Sequence, residues 1–416
     1  MNKEVAIIVQ RYGLEVNGGA EYHARLLAEQ LSQQYKVQVL TTTALDYGSW
    51  ANHYSAGVEV INGIHVHRFP TIPTPPRRTR VARRAISKKR KYFKILKRLG
   101  VFDFLDKKFN ITRVRPQEVE NWIIGQGPYC PELIRYIKEH KEQFDAFIFF
   151  TYLYYPTFKG MPLVKDKAIF IPTAHDEPLL YTLPYTNIFS VPKFIMYNTE
   201  SEKKLIESHF KNPTKQSDIA GVGIEKYRGE EGVLPDTLQQ KKYFVYIGRI
   251  DVHKGCDQML EYFIQFQDKY PEYKEYKLVL VGKNYMEKSY DHPAIMYTGF
   301  IDEGLKYTLL RNARAMIMPS FYESLSLVTL EAMYEEIPVI VNEECEVLYA
   351  HIFKSQTGLS YNSPESFFKS LEHYILKSER DLAEEGKKAK QYVSDHYTWK
   401  KVLDKFENSI AFVSKT

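Results

Sequence analysis

Two glutamates set the chemistry this sequence can do. Glu323 and Glu331 stand eight residues apart, with Ser324, Leu325, Ser326 and Leu327 after the first. The apolar spacing of Leu325, Val328, Leu330 and Met333 predicts a helix, which Ser324 or Ser326 can cap. Along a helix that spacing separates the carboxylates by roughly 12 Å. Hydrolytic carboxylate pairs sit about 5–9.5 Å apart, so the distance is too long for them. It suits hydroxyls at the two ends of a long ligand. The amides of residues 324–327 lie between the two, at a positive helix start that favours an anion. Hydroxyls at both ends and a diphosphate between them describe a nucleotide sugar. Two solvated glutamates on an amphipathic helix would show the same spacing.

Other groups fit the same ligand. Gly248-Arg249 closes one apolar run, and Lys254-Gly255 follows five residues later. Arginine offers a planar fork to two phosphate oxygens and lysine a mobile point charge, although either alone could be a plain surface positive. Gly18-Gly19 precedes the first helical pattern, with Glu21 next. Paired glycines let a backbone approach a ligand, and a plain turn would use them equally. His175 stands just past an apolar run, in Thr173-Ala174-His175-Asp176. A lone histidine there is more often a structural donor. No Gly-x-Gly-x-x-Gly follows the first strand, which argues against a dinucleotide oxidoreductase. There is no Asp-x-Asp to suggest a metal clamp.

Glu323-x7-Glu331 is preceded by Pro319-Ser320 and followed by Ala332-Met333 and Pro338-Val339-Ile340. With Gly248-Arg249-x4-Lys254-Gly255, it resembles the signature of the retaining glycosyltransferases of family 4, among the glycosyl transferases group 1. The resemblance implies an α/β chain with the GT-B fold, two doubly wound Rossmann-like domains facing each other across a cleft. Residues 1–223 with 396–416 would be the acceptor side, and residues 224–395 would bind the donor. It implies that Glu323 touches the donor sugar and Glu331 holds the ribose. The amides of Ser324, Leu325, Ser326 and Leu327 would meet the diphosphate, beside Arg249 and Lys254. Gly18, Gly19 and Glu21 would face the cleft, His175 would lie near the transferred sugar, and the base would rest on the turns at Gly282, Phe300 and Ile301. The family often has glycine at 324 and 326, where serine keeps the amides. It commonly has Gly-Gly after residue 341, where this chain has Asn342-Glu343, so the rim of the pocket is expected to differ.

The elements that must position these groups alternate between strand and helix, the pattern of parallel sheets that bind ligands at their carboxyl edges. Apolar runs at 5–9, 37–42, 58–69, 147–150, 168–171 and 194–197 predict a first sheet. Runs at 243–247, 277–281, 294–298, 315–318 and 339–341 predict a second. Helical patterns cover 20–31, 256–268, 365–377, 381–393 and 399–413, and the last resembles the family's final helix, which returns to the first domain. The polar stretch 224–240 reads as a linker.

A chain of 416 residues suffices for two cores. Its 32 Tyr and 24 Phe exceed what core packing needs and suit sugar-facing surfaces. Cys130, Cys256 and Cys345 are too scattered for a metal or disulfide framework, which suggests a reducing compartment. No signal peptide is visible and no apolar stretch is long enough to span a membrane, so a cytoplasmic location is expected. Between Arg77 and Arg98 lie twelve Lys and Arg and no acid, against a net charge of +6, so the rest of the chain is acidic. Such a run reads as a solvated face, or with Ile86, Tyr92, Phe93 and Leu96 as an anchor on anionic lipid at the inner membrane face. Nucleic acid ranks last, since no recognition motif accompanies the charge.

The expected activity is metal-independent, retaining hexosyl transfer, with a glucose-type sugar favoured. A nucleoside diphosphate sugar, most simply a UDP-sugar, is the donor substrate, with no cofactor. A glycan or lipid-linked molecule in polysaccharide or glycolipid synthesis is the acceptor. Glu323, His175, Arg249 and Lys254 are the catalytic candidates. A non-hydrolysing UDP-sugar epimerase and an inert membrane-docking scaffold are the alternatives.

Overall fold

The apolar runs become buried strands of two separate sheets. A computed structural model describes residues 3–16, 18–74, 101, 116–238, 240–288 and 290–415. The basic run between Arg77 and Arg98 lies outside the described residues. The chain forms two compact units, residues 1–220 with 403–416 and residues 221–402. These divisions fall at 220/221 and 402/403, against the expected 223/224 and 395/396.

The first unit contains β1 (Glu4–Ile8), α1 (Gly19–Leu31), β2 (Lys36–Thr42), β3 (Gly57–Ile61), β4 (Ile64–Phe69), α2 (Pro116–Gln126), α3 (Pro131–His140) and β5 (Ala146–Phe150). It continues through α4 (Tyr155–Gly160), β6 (Ala168–Ile171), β7 (Phe194–Tyr197), α5 (Glu200–His209) and β8 (Ser217–Ile219). Its sheet runs β3-β4-β2-β1-β5-β6-β7-β8, and only the β3–β4 hairpin is antiparallel. Phe147, Phe149 and Phe150 of β5 are fully buried. Each contributes roughly 2–3 kcal/mol, which fixes β5 in the middle of the sheet.

The second unit contains β9 (Tyr243–Ile247), α6 (Cys256–Lys269), β10 (Lys277–Val281), β11 (Ile295–Gly299), α7 (Glu303–Arg311), β12 (Ala315–Met318), α8 (Leu327–Tyr334) and β13 (Val339–Asn342). It ends with α9 (Glu346–Ser355), β14 (Leu359–Tyr361), α10 (Pro364–Leu376), α11 (Glu379–His396) and the start of α12 (Trp399–Val413). The sheet runs β11-β10-β9-β12-β13-β14 and is parallel throughout. Counted within the unit this is 3-2-1-4-5-6, the Rossmann order, with its switch point between β9 and β12.

The stretch expected as a linker, 224–240, is docked on α7 through its residues 227–232. Tyr227 stacks on Tyr307 with ring centroids 4.5 Å apart, Glu231 pairs with Arg311 at 2.5 Å, and the Gly232 carbonyl accepts from the Thr308 hydroxyl at 3.1 Å. The polar side chains that suggested a linker are partners for α7. Beyond residue 402 the tail belongs to the first unit, where Phe406, Ile410 and Val413 are buried and Phe412 meets Phe194 at 6.1 Å. Among the described residues no helix is long and apolar enough to cross a membrane.

Candidate functional site

Strand order explains why residues far apart in sequence gather in the second unit. Four adjacent strands, β11, β10, β9 and β12, end in turns carrying Phe300 and Ile301, Gly282, Arg249, and Glu323 respectively. These groups follow one another along one carboxyl edge. The Gly248 amide donates to the Val281 carbonyl and the Gly282 amide to the Gly299 carbonyl, both at 2.9 Å, which ties the first three turns together. Gly282 has φ +138°, and a Cβ there would lie 1.9 Å from the Gly248 carbonyl oxygen, so only glycine fits. Phe300 is 60% exposed at the end of the row.

Across the switch point Lys254 Nζ donates to Glu323 Oε1 at 2.6 Å. The pair is partly exposed, at 26% and 15%. Arg249 leaves β9 beside it, and its carbonyl accepts from the Tyr246 hydroxyl at 2.6 Å. The two sequence signatures therefore meet at this edge.

The turn after Glu323 departs from the expected capping. Ser326 occupies the N-cap of α8 at φ 62°, but its hydroxyl pairs with the Thr329 hydroxyl at 2.8 Å and caps no backbone amide. A left-handed N-cap points the hydroxyl away from the amides and explains why glycine would also suit this position. Leu325 lies before the helix, not on it. The Thr329 amide already donates to the Ser326 carbonyl at 3.1 Å, so helix geometry leaves only the amides of Leu327 and Val328 without an intrahelical acceptor, which keeps this end favourable for an anion.

Glu331, one of the expected ligand-facing groups, is buried and lies 3.3 Å from Lys306 Nζ, which also pairs with Glu303 at 2.8 Å. Burial pushes the Glu331 carboxyl up, against the pull of Lys306. Burial also works against the Lys306 ammonium, but the carboxylates of Glu331 and Glu303 outweigh it and hold Lys306 above its ordinary value. Lys306 thus supplies the local positive charge at Glu331. Nothing in its sequence surroundings singles it out, since it occupies an ordinary helical position.

A second support comes from His351 on α9. Its Nε2–H donates to the Leu325 carbonyl at 2.8 Å, and its Nδ1 accepts from the Tyr392 hydroxyl of α11 at 3.1 Å. Burial pushes this imidazole down to about 4, so it stays neutral and keeps one nitrogen as acceptor. The departure at Asn342 also has a role. Its amide donates to the Pro319 carbonyl at 3.1 Å and its side-chain oxygen accepts from the Glu344 amide at 3.1 Å, bracing the turn after β12. A Gly-Gly turn could not do this.

In the first unit the expected residues lie at the edge formed by β1, β5 and β6. Gly18 and Gly19 start α1. Glu21 is buried, and its Oε1 accepts from Arg11 Nη2 at 2.6 Å and Nε at 2.9 Å. Its carboxylate therefore braces the loop from within, unlike the cleft-facing role expected for it. His175 Nε2 is 3.5 Å from Glu177 Oε1, which accepts from the Tyr152 hydroxyl at 2.7 Å. Thr151 and Thr173 end adjacent strands with φ 66° and 50°, and the Thr173 hydroxyl donates to that of Thr151 at 3.1 Å. A left-handed β-branched residue is strained, and these two are in contact. Glu202, fully buried on α5, holds this edge by accepting from the Ala174 amide at 2.5 Å and the Asn198 amide at 2.6 Å. Burial pushes its carboxyl up to about 8, against those two amides. The sequence shows no sign of Glu202 beyond its place in a first helical turn.

This geometry meets independent likenesses. Residues 235–392 match the family of glycosyl transferases group 1. The matched stretch lies within the second unit. An uncharacterized glycosyltransferase of Methanocaldococcus jannaschii is 24% identical over 82% of this chain and 80% of its own length. Sucrose-phosphate synthase from Thermosynechococcus elongatus superposes with a TM-score of 0.66 at 16% identity, covering 98% of both chains. The Anabaena protein HepE, solved with UDP and glucose, superposes with a TM-score of 0.63 at 11% identity over 99% of this chain and all of its own. The chain has the GT-B fold.

Proposed function

We propose that the chain is a glycosyltransferase that moves a hexose, with a glucose-type sugar favoured, from a UDP-sugar to a glycan or lipid-linked acceptor, retaining the anomeric configuration and needing no metal. The observation that carries the reading is the Lys254–Glu323 pair at 2.6 Å across the β9–β12 switch point. It puts a cation and a carboxylate side by side where a sugar diphosphate would need both. On this reading Lys254 turns to the diphosphate and releases Glu323 to the sugar hydroxyls. Arg249 and the first amides of α8 meet the phosphate oxygens, with Ser324, Leu325, Ser326 and Leu327 shaping that contact. Glu331 accepts from the ribose, and the base rests on the Gly282, Phe300 and Ile301 turns. Gly18 and Gly19 line the approach in the first unit, and His175 serves the transferred sugar.

Negative charge grows on the leaving diphosphate in the transition state, so a fixed cation and preset amides stabilise it more than the ground state. No carboxylate is assigned as nucleophile, so the acceptor hydroxyl attacks from the leaving-group face and its proton passes to the departing phosphate. The glucose-type and UDP preferences draw on HepE, which was solved with both molecules. A lipid-linked acceptor would be met at the cytoplasmic membrane face by the basic run between Arg77 and Arg98.

The test is a donor panel of UDP-, GDP- and ADP-hexoses, followed by release of the nucleoside diphosphate with and without EDTA. UDP release that needs an acceptor and survives EDTA is expected. A C2-epimerised sugar nucleotide formed without acceptor would replace the reading by the epimerase.

A further inference from the structure

The loop that follows β2 in the first unit carries an aromatic group outside the residues assigned above. Tyr47 is 44% exposed and Trp50 is half-buried. Their rings meet at 5.6 Å, and Trp50 meets Tyr154 at 5.2 Å, both edge to face. We propose that Tyr47 and Trp50 form a stacking platform for a pyranose ring of the acceptor.

Three observations carry this assignment. The first is conformational. Trp50 has φ 53°, a left-handed backbone that a bulky aromatic residue rarely adopts and that persists only where its surroundings enforce it. The enforcing contacts are present, since its carbonyl accepts from the Thr71 hydroxyl at 2.6 Å. A Cβ on Gly127 would lie 2.5 Å from the indole, so that glycine makes room for the ring.

The second is rigidity. The Thr43 carbonyl accepts from the His53 and Tyr54 amides at 2.8 and 2.9 Å, closing the loop at its base. Asp46 Oδ2 accepts from the amides of Gly48 and Ser49 at 2.8 and 2.7 Å, fixing its tip. Aromatic rings held on such a loop present a flat apolar surface without ordering cost, which suits the C–H face of a sugar. The third is position. Arg11, which pairs with Glu21 behind the Gly18-Gly19 turn, donates from Nη1 to the Leu45 carbonyl at 2.9 Å and lies 5.8 Å from the Tyr47 ring. The platform is therefore tied to the β1–α1 loop at the carboxyl edge of the sheet. Trp50 rests on the buried core from one side, and Tyr47 beside it stays 44% exposed, an exposure that core packing alone would not call for.

The inference rests on the glycosyltransferase reading for its acceptor, but its test does not use donor chemistry. Of the three tryptophans, Trp122 and Trp399 are buried at 4% and 9% exposure, so acrylamide quenching reports Trp50. The full-length protein is titrated with methyl β-glucoside, methyl β-galactoside, maltose and lactose, with and without UDP, and in parallel with decyl phosphate. At least one glycoside is expected to protect Trp50. Tyr47→Ala is expected to weaken that protection about tenfold and Tyr47→Phe to keep it. UDP calorimetry on each variant checks that the second unit is intact. Protection by no glycoside, protection equal in Tyr47→Ala and wild type, or protection by decyl phosphate alone overturns the platform. Failure of the donor panel with glycoside protection retained would instead overturn the donor reading and leave the platform standing.

Discussion

The two units use one architecture and place their working parts differently. In the second, charged side chains stand at strand ends, with Lys254 on Glu323 and Lys306 on Glu331. In the first, the same kind of edge is built from unusual backbone, with Thr151, Thr173 and Trp50 left-handed and the buried Glu202 holding two amides. On the proposed function, point charges at a switch point answer a small, highly charged diphosphate, and strained loops held from behind answer a neutral, broad sugar by shape.

If the first unit works through braced backbone, its stability should respond to the state of Glu202. Folded, this carboxyl holds its proton up to about pH 8, whereas the unfolded chain releases it near the ordinary 4.5. The folded state therefore carries the extra proton between those limits. Its stabilising effect is complete below 4.5 and is lost as pH rises through 8. Thermal melts should show stability falling over this window by up to about 1.4 kcal/mol per pH unit. Glu202→Gln should flatten that fall, and an unchanged slope would remove Glu202 from the account.

The charge-based half of the comparison is tested by removing charge. Arg249→Ala and Lys254→Ala should each lower turnover by about 10² or more, because the departing diphosphate loses a partner. Near wild-type turnover in both would break the contrast between the units. Lys306→Met sharpens it. Without this cation the Glu331 carboxyl rises further, so UDP affinity should drop about tenfold at neutral pH and recover as pH increases. Calorimetry at three pH values reads this, and Lys306→Arg should behave as wild type. The smallest change is expected from Ser326→Gly. Release of the left-handed strain and loss of the Thr329 contact oppose each other, leaving melting within about 1 kcal/mol of wild type.

Strands were the most legible feature, because strands buried on both faces read as continuous apolar runs such as Tyr243–Ile247. Gly248-Arg249, Lys254 and Glu323 were legible too, since their types and their places at strand ends are both visible in sequence. What could not be read is support. Lys306 and His351 act only through neighbours brought close by packing, and each alone is an unremarked helical residue. Thr151, Thr173 and Trp50 carry the opposite local preference to the conformation they adopt, so propensity points away from them. Residues 224–240 misled for a related reason, because turn chemistry does not say whether a segment is free or docked.

The route of the chain has a consequence for synthesis on the ribosome. It leaves the first unit at residue 220 and contributes to it again only from residue 403. The returning segment supplies Phe406, Ile410 and Val413 as buried groups, and Phe412 beside Phe194. The part translated first therefore cannot complete its core until residues 403–413 have emerged, whereas residues 221–402 are whole by then. Although domains usually finish in the order they are made, here the later one closes first. Its partner waits with an apolar face uncovered, the interval in which a chaperone would have most to hold.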